Sequence, residues 1–209
     1  MSFESFENAK YLDVFSELGN IGAGNATTAL SQMLDRKIDL KVPVAAFVPF
    51  SRVTEIIGDP ESVVVSGLVE ITGDLQGFVL LVQSEADAAR VAQSLLGESE
   101  PAASALDFNE MQISALKEVT NILTGAYITA ITSLTEMDVK IEPPQIAVDM
   151  AAAVMSVPAV EYGKLGETVL FIETTFIDMD YALTGHFFLV PDYASTGKML
   201  SALGIGADE

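Results

Sequence analysis

Glu17-Leu18-Gly19-Asn20-Ile21-Gly22-Ala23-Gly24 returns 101 residues later as Glu118-Val119-Thr120-Asn121-Ile122-Leu123-Thr124-Gly125. Glu, Asn, Ile and Gly are kept at their positions. At the same shift Thr28 falls on Thr129, Ala29 on Ala130 and Pro43 on Pro144. Both copies lie in helical patterns. Phe15, Leu18, Gly22, Ala26, Ala29 and Met33 recur at three- and four-residue steps, which predicts a helix over 6–34 with one apolar or small face. Residues 107–135 read as a second long helix.

The order of elements around the two helices also repeats. After the first comes an alternating run over 38–50, interrupted by Pro43, and a short helix near 51–57 stopped by Gly58-Asp59-Pro60. Residues 63–71 and 75–82 read as a hairpin around Thr72-Gly73-Asp74, and 84–96 as a helix with Ser84 as N-cap and Gly97 after it. Residues 98–106 read as a linker. Beyond the second long helix, strands are expected over 146–157, 168–176 and 183–190, and a closing helix over 195–203 ended by Gly204. Gly77-Phe78-Val79-Leu80-Leu81-Val82 rhymes with Gly185-His186-Phe187-Phe188-Leu189-Val190 at a shift of 108, so the halves differ by insertions. The pattern reads as an internal duplication, with repeats over about 6–97 and 107–204 within one domain, 1–209.

Shared apolar positions are what any duplicated fold keeps; shared polar positions say more. Asp13, Glu17, Asn20, Gly24, Thr27 and Ser31 are spaced 4, 3, 4, 3, 4 and form one helix stripe. Ser114, Glu118, Asn121, Gly125, Ile128 and Thr132 repeat the spacing. Each stripe presents a carboxylate and a carboxamide one turn apart. Asn is a poor helix-interior residue, because its side chain competes with the backbone for hydrogen bonds. Two readings remain open: the amides bond across a helix–helix seam that glycines keep close, or they form a reactive site.

Composition narrows the field. Of 209 residues, 30 are acidic and 10 basic, a formal net charge of −20. Such a field repels phosphate backbones, which disfavours nucleic acid as partner. Acidic surfaces also accompany salt adaptation, so the charge by itself identifies no partner. With no cysteine in the chain, disulfides, thiol catalysis and cysteine-ligated metal clusters are excluded. The first seven residues do not look like a secretory signal, and the longest nearly apolar stretch, 150–160, is about half a bilayer span. A cytoplasmic protein without membrane insertion is expected.

Asp13-x3-Glu17-x2-Asn20-x22-Pro43 and Ser114-x3-Glu118-x2-Asn121-x22-Pro144 both resemble the Asp/Ser-x3-Glu-x2-Asn-x22-Pro signature of the CheC, CheX and FliY phosphatases of chemotaxis. Two complete copies in a chain of this length resemble the CheC type. Leu189-Val190-Pro191-Asp192-Tyr193 near the end is similar to it as well. The resemblance implies an α+β, internally duplicated CheC-like fold: two pseudo-symmetric halves, with the long helices side by side on antiparallel sheet and the stripes exposed. It implies hydrolysis of the aspartyl phosphate of a CheY-like response regulator, with catalytic residues Glu17, Asn20, Glu118 and Asn121. It implies no cofactor of the chain's own, since the regulator supplies Mg²⁺, and a CheD-type receptor deamidase as a further partner, with Asp149-Met150 as a conceivable contact.

The chemistry fits the residue types. An acyl phosphate is activated already and lacks only a water placed in line. A carboxamide oxygen accepts from that water while its NH2 donates nearby, so Asn20 and Asn121 are expected to orient it. Glu17 and Glu118 are expected to dock on the regulator's lysine, with Asp13 and Ser114 at the rim or simply solvated, and Pro43 and Pro144 shaping strand starts. The rival is a non-catalytic chemotaxis or flagellar-switch adaptor that binds the regulator or sequesters the deamidase. Gly19-x-x-Gly22-x-Gly24 follows no strand and precedes no Lys-Ser/Thr, so it reads as helix packing rather than a phosphate loop. His186 reads as a structural histidine in a strand, and Asp178-x-Asp180 as a solvated turn.

Overall fold

The computed structural model describes residues 9–41, 44–49, 52–161, 168–178 and 181–204. The first half runs α1 (Ala9–Leu34), β1 (Ile38–Leu40), β2 (Val44–Pro49), α2 (Val53–Ile57), β3 (Val63–Gly73), β4 (Gly77–Ser84) and α3 (Glu85–Leu96). The second repeats that order: α4 (Glu110–Thr135), β5 (Val139–Ile141), β6 (Gln145–Met150), α5 (Ala151–Glu161), β7 (Thr168–Asp178), β8 (Tyr181–Pro191) and α6 (Tyr193–Ala202).

All the strands join one antiparallel sheet. Its order is β1-β7-β8-β4-β3-β5, with β2 continuing β1 along β7 and β6 continuing β5 along β3. The edges are exchanged. The first half's opening strands pair with the second half's hairpin, and the reverse holds at the other edge. Neither half has a complete sheet of its own.

Both faces of the sheet are covered, which explains why β4 and β8 read as unbroken apolar runs. Val79, Leu81, Leu170, Ile172, Phe187 and Leu189 face the core under α1, α3, α4 and α6. Their neighbours Phe78, Leu80, Val82, Phe171, Phe188 and Val190 face the opposite core, closed by Val53 of α2 and by Val154 and Met155 of α5.

The long helices lie side by side, and a small-against-large fit sets their spacing. At Gly22 of α1 an added Cβ would sit 2.2 Å from Cδ1 of Tyr127, a residue of α4 that is 1% exposed. Tyr127 is held from three sides. Its ring meets Phe187 of β8 at 4.5 Å, its hydroxyl is hydrogen-bonded with Thr174 of β7, and its edge fills the Gly22 notch. Burial pushes its phenol up to about 12, so it stays protonated at any physiological pH.

Several expectations from sequence shift on inspection. The hairpin turn falls at 74–76, because Gly73 stays in β3, paired with Val139. Its φ of 105° and the Asp138 carbonyl, 2.3 Å from where a Cβ would be, restrict that position to glycine. The strand expected over 146–157 ends at Met150; Ala151–Glu161 is a helix. A short apolar run has no period that separates strand from helix, and three consecutive alanines favour the helix. Its first amides are satisfied from outside, Ala151 N–H donating to Ser62 O at 2.9 Å and Ala152 N–H to Pro60 O at 3.0 Å. α3 is as expected, with Ser84 as N-cap and Gly97 closing it in the left-handed conformation.

The linker is pinned. Glu85 of α3 accepts hydrogen bonds from the Ser104 hydroxyl at 2.7 Å and the Ala105 amide at 2.6 Å, which lower its carboxyl below the usual value. A lowered folded-state pKa contributes stability above the unfolded pKa and loses it as pH falls through the folded one. Glu85→Gln is therefore expected to lower Tm at neutral pH. The gap from the parent should shrink as pH drops below about 4, where the parent carboxylate is protonated too. Equal gaps at pH 7 and pH 3 in parallel thermal melts would show that the pin is not electrostatic.

Candidate active site

Two helices carry the candidate residues, and in both the Glu–Asn pair lies where the helix turns away from the sheet. On α1, Leu18 and Ala23 are buried while Glu17 and Asn20 are exposed. On α4, Leu116, Val119 and Leu123 are buried while Ser114, Glu118 and Asn121 are exposed. The side chain after each Asn, Ile21 or Ile122, is half-buried and anchors that turn.

Neither Asn20 nor Asn121 has a side-chain hydrogen-bond partner among the described residues, and the same is true of Glu17 and Glu118. The seam reading of the two amides therefore fails: they bond nothing across α1 and α4. Each pair offers solvent a carboxylate and, one turn on, an amide whose donors and acceptor are unused among the described residues.

The stripes are shorter than their spacing implies. On α1, the Thr27 hydroxyl donates to Ala23 O at 2.7 Å, and Ser31 Oγ accepts from Ile38 N–H at 3.1 Å, tying the helix end to β1. On α4, Ile128 is 5% exposed and belongs to the core. Asp13 lies on α1, its side chain outside the described residues, as is Pro43. Pro144 is half-buried directly before β6.

The glycines divide by role. Gly22 is a packing notch, as expected. Gly24 and Gly125, one turn beyond each Asn, are not: a Cβ at either position would meet nothing within 4 Å. Mid-helix glycine is destabilising by roughly 0.5–1 kcal/mol relative to alanine. Here no contact among the described residues offsets that, and the bare backbone beside each Asn leaves room for another molecule to come close.

His186 sits on the sheet face away from these helices, edge-on to Phe171 and Phe188, with its Nε2 3.4 Å from a Glu173 carboxylate oxygen. Burial lowers its pKa, and Glu173 opposes the shift. This is the structural histidine expected. Of Asp178-x-Asp180, Asp178 ends β7, and residues 179–180 lie outside the described residues. Among the described residues no group of three or more His, Asp or Glu side chains is placed to hold a metal ion, and no helix is long and apolar enough to cross a membrane.

Sequence reading missed Tyr127. The available signal was the mismatch between repeats: at the shift of 101, Gly22 aligns with Leu123 and Ala26 with Tyr127, so one helix is small where the other is large.

Known proteins resemble this chain in sequence and fold. The CheC-like family model matches residues 12–46, which contain the first Glu–Asn pair, and the chemotaxis phosphatase CheX model matches 65–162, which contain the second. The CheY-P phosphatase CheC of Bacillus subtilis is 34% identical over 195 residues, 92% of this chain and 93% of that one. Among solved structures, FliY of Thermotoga maritima superposes with a TM-score of 0.71 at 22% identity, covering 98% of both chains. The CheX–CheY–BeF3–Mg²⁺ complex of Borrelia burgdorferi gives a TM-score of 0.52 at 19% identity, covering 84% of this chain and 97% of that one. With its helical pairs exposed on an α+β fold of this topology, and a relative that similar over nearly its whole length, the chain belongs to the CheC family of chemotaxis phosphatases.

Proposed function

We propose that this chain hydrolyses the aspartyl phosphate of a CheY-like response regulator in the cytoplasm, using Glu17 and Asn20 on α1 and Glu118 and Asn121 on α4 as two separate sites. The observation that carries this is the pair of exposed amides, unpartnered among the described residues, each one turn from an exposed carboxylate. The similar Bacillus subtilis protein is named a CheY-P phosphatase, and the shared fold occurs in a CheX solved with CheY. Residues 1–209 form one domain of two repeats, about 6–97 and 107–204, with one site in each.

In the proposed reaction the carboxylate docks on a lysine of the regulator and brings the helix onto the phosphorylated pocket. The amide oxygen accepts from a water and aims its oxygen at phosphorus. The new P–O bond forms as the bond to the aspartyl oxygen breaks. The regulator's Asp leaves as a carboxylate, and the water's proton passes to solvent with the released phosphate. No side chain here needs to act as a strong base, because the aspartyl carboxylate is a good leaving group and the remaining work is positioning. Asp13 and Ser114 lie at the rim, and Pro43 and Pro144 shape the strands that follow. Mg²⁺ belongs to the regulator in this scheme. A second reading, retention of a CheD-type deamidase, is favoured by Asp149 and Met150, both exposed at the end of edge strand β6 and away from the stripes.

The test is decay of a phosphorylated CheY-like regulator in Mg²⁺, with and without substoichiometric protein. Acceleration over many turnovers is expected, and its loss in excess chelator. Unchanged decay in Mg²⁺ would remove the enzymatic reading and leave the adaptor.

A further inference from the structure

Four large apolar side chains among the described residues are exposed: Val44, Leu106, Met111 and Met150. Two of them, Leu106 at 67% and Met111 at 65%, stand five residues apart where the chain enters α4. Met111 also lies on the line of the candidate site. Met111, Ser114, Glu118, Asn121 and Gly125 are spaced 3, 4, 3, 4, one continuous helix face. The backbone under Met111 is fixed. Asn109 Oδ1 accepts from Met111 N–H at 2.9 Å and from Gln112 N–H at 3.0 Å, while Gln112 Oε1 accepts from Asn109 N–H and Gln112 Nε2 donates to Glu98. An exposed Met in a frayed first turn would be unremarkable; this one is presented by a complete capping box.

The first repeat has no counterpart. At the shift of 101, Leu106 and Met111 correspond to Ser5 and Lys10. The two sites therefore share their reactive pair and differ in what surrounds it.

We propose that Met111, with Leu106 beside it in the chain, is an apolar docking anchor of the α4 site. Its occupant is the phosphorylated regulator, through an apolar side chain on the rim of the regulator's phosphorylated pocket. The proposal rests on the phosphatase reading above and extends it. Continuity with the stripe fixes the occupant: a molecule that brings its phosphate to Asn121 covers Met111, two to three helical turns away on the same face. The chain's charge of −20 gives an acidic or neutral partner surface no general attraction, so a desolvated apolar contact is where affinity and selectivity for this site arise. The first repeat has Lys10 at the corresponding sequence position, not an apolar residue, so the two sites are expected to differ in affinity for one regulator.

Met111→Gln in the Asn20→Ala background, where only the α4 site remains, tests this. Met111 is exposed, so the fold is not at risk, and Gln keeps length and helix propensity. KM for the phosphorylated regulator is expected to rise about tenfold, with kcat changed far less, as for loss of one apolar anchor from an interface. Val44→Gln, exposed but on β2, is the control and leaves KM unchanged. In parallel, the methionine ε-methyl NMR signal lost in Met111→Gln is followed as beryllofluoride-activated regulator is titrated in, and it is expected to shift. An unchanged KM together with an unmoved methyl signal at saturation overturns the anchor while leaving the phosphatase intact. Failure of the phosphatase reading itself shows elsewhere, as decay of the phosphorylated regulator that the parent protein does not accelerate.

Discussion

Asn20→Ala combined with Asn121→Ala is expected to abolish accelerated dephosphorylation, by about 10²-fold or more, while the beryllofluoride-activated regulator still binds. The size follows from what the amide is asked to do. If the regulator already holds its phosphate and its cation, the missing contribution is a water held in line, and an alanine methyl cannot hold one. Unfolding cannot account for such a loss. Both positions are exposed, neither amide has a partner among the described residues, and alanine is the better helix former, so the double variant should be slightly more stable than the parent. Each single variant keeps one site and so loses only that site's share. Glu17→Ala with Glu118→Ala behaves differently: removing the proposed docking group lowers affinity as well as turnover. A radiolabelled-phosphate decay assay with a separate binding titration distinguishes the two classes. Full activity in the double Asn variant would end the assignment of these residues, whatever the family.

What the sequence made legible was local or repeated. Ser84 and Gly97 bracket α3 as their capping chemistry demands. The Glu/Asn pairs stood out because they are polar and return at a fixed shift, where a core would return only apolar residues. The exchange of edges was not legible. β2 pairs with β7, as Val44 with Glu173 and Pro49 with Thr168, across more than half the chain, and nothing near Val44 announces so distant a partner. α5 was missed because Ala151-Ala152-Ala153-Val154-Met155 is uniformly apolar and carries no period, although its alanines favour a helix and Val154 and Met155 pack in the second core. At the site, the glycines showed the limit of pattern. A Gly-x-x-Gly-x-Gly run tells where a side chain is missing, but not whether the space is filled by Tyr127 or left open.

That difference gives the largest stability prediction. Gly22→Ala and Gly24→Ala make the same chemical change two residues apart in α1, and they are expected to move stability in opposite directions. At Gly24 the new methyl meets nothing within 4 Å, so only backbone propensity acts, and the variant gains about 0.5–1 kcal/mol. At Gly22 the methyl would lie 2.2 Å from Cδ1 and 2.6 Å from Cε1 of Tyr127. The ring cannot swing aside cheaply, since Phe187 lies against it and Thr174 holds its hydroxyl. Either α1 lifts off α4 or the Thr174 bond breaks inside the core, and overpacking of this kind costs about 1–3 kcal/mol after any helix gain. For a chain of this size each kcal/mol moves Tm by about 2–4 °C, so the two alanine variants should bracket the parent in a thermal melt. Gly22→Ala with Tyr127→Ala should cost less than the sum of the single changes, because the second removes what the first collides with. Activity separates from stability in this series. Each proposed site lies within one turn of one helix, Glu17 to Asn20 or Glu118 to Asn121, so a shift of α1 against α4 leaves both pairs internally intact. Folded Gly22→Ala protein should keep its turnover per molecule. If it melts with or above the parent, Tyr127 does not set the spacing of the long helices. If it is stable but inactive, the two sites are coupled through the seam, and the one-helix account of catalysis is wrong.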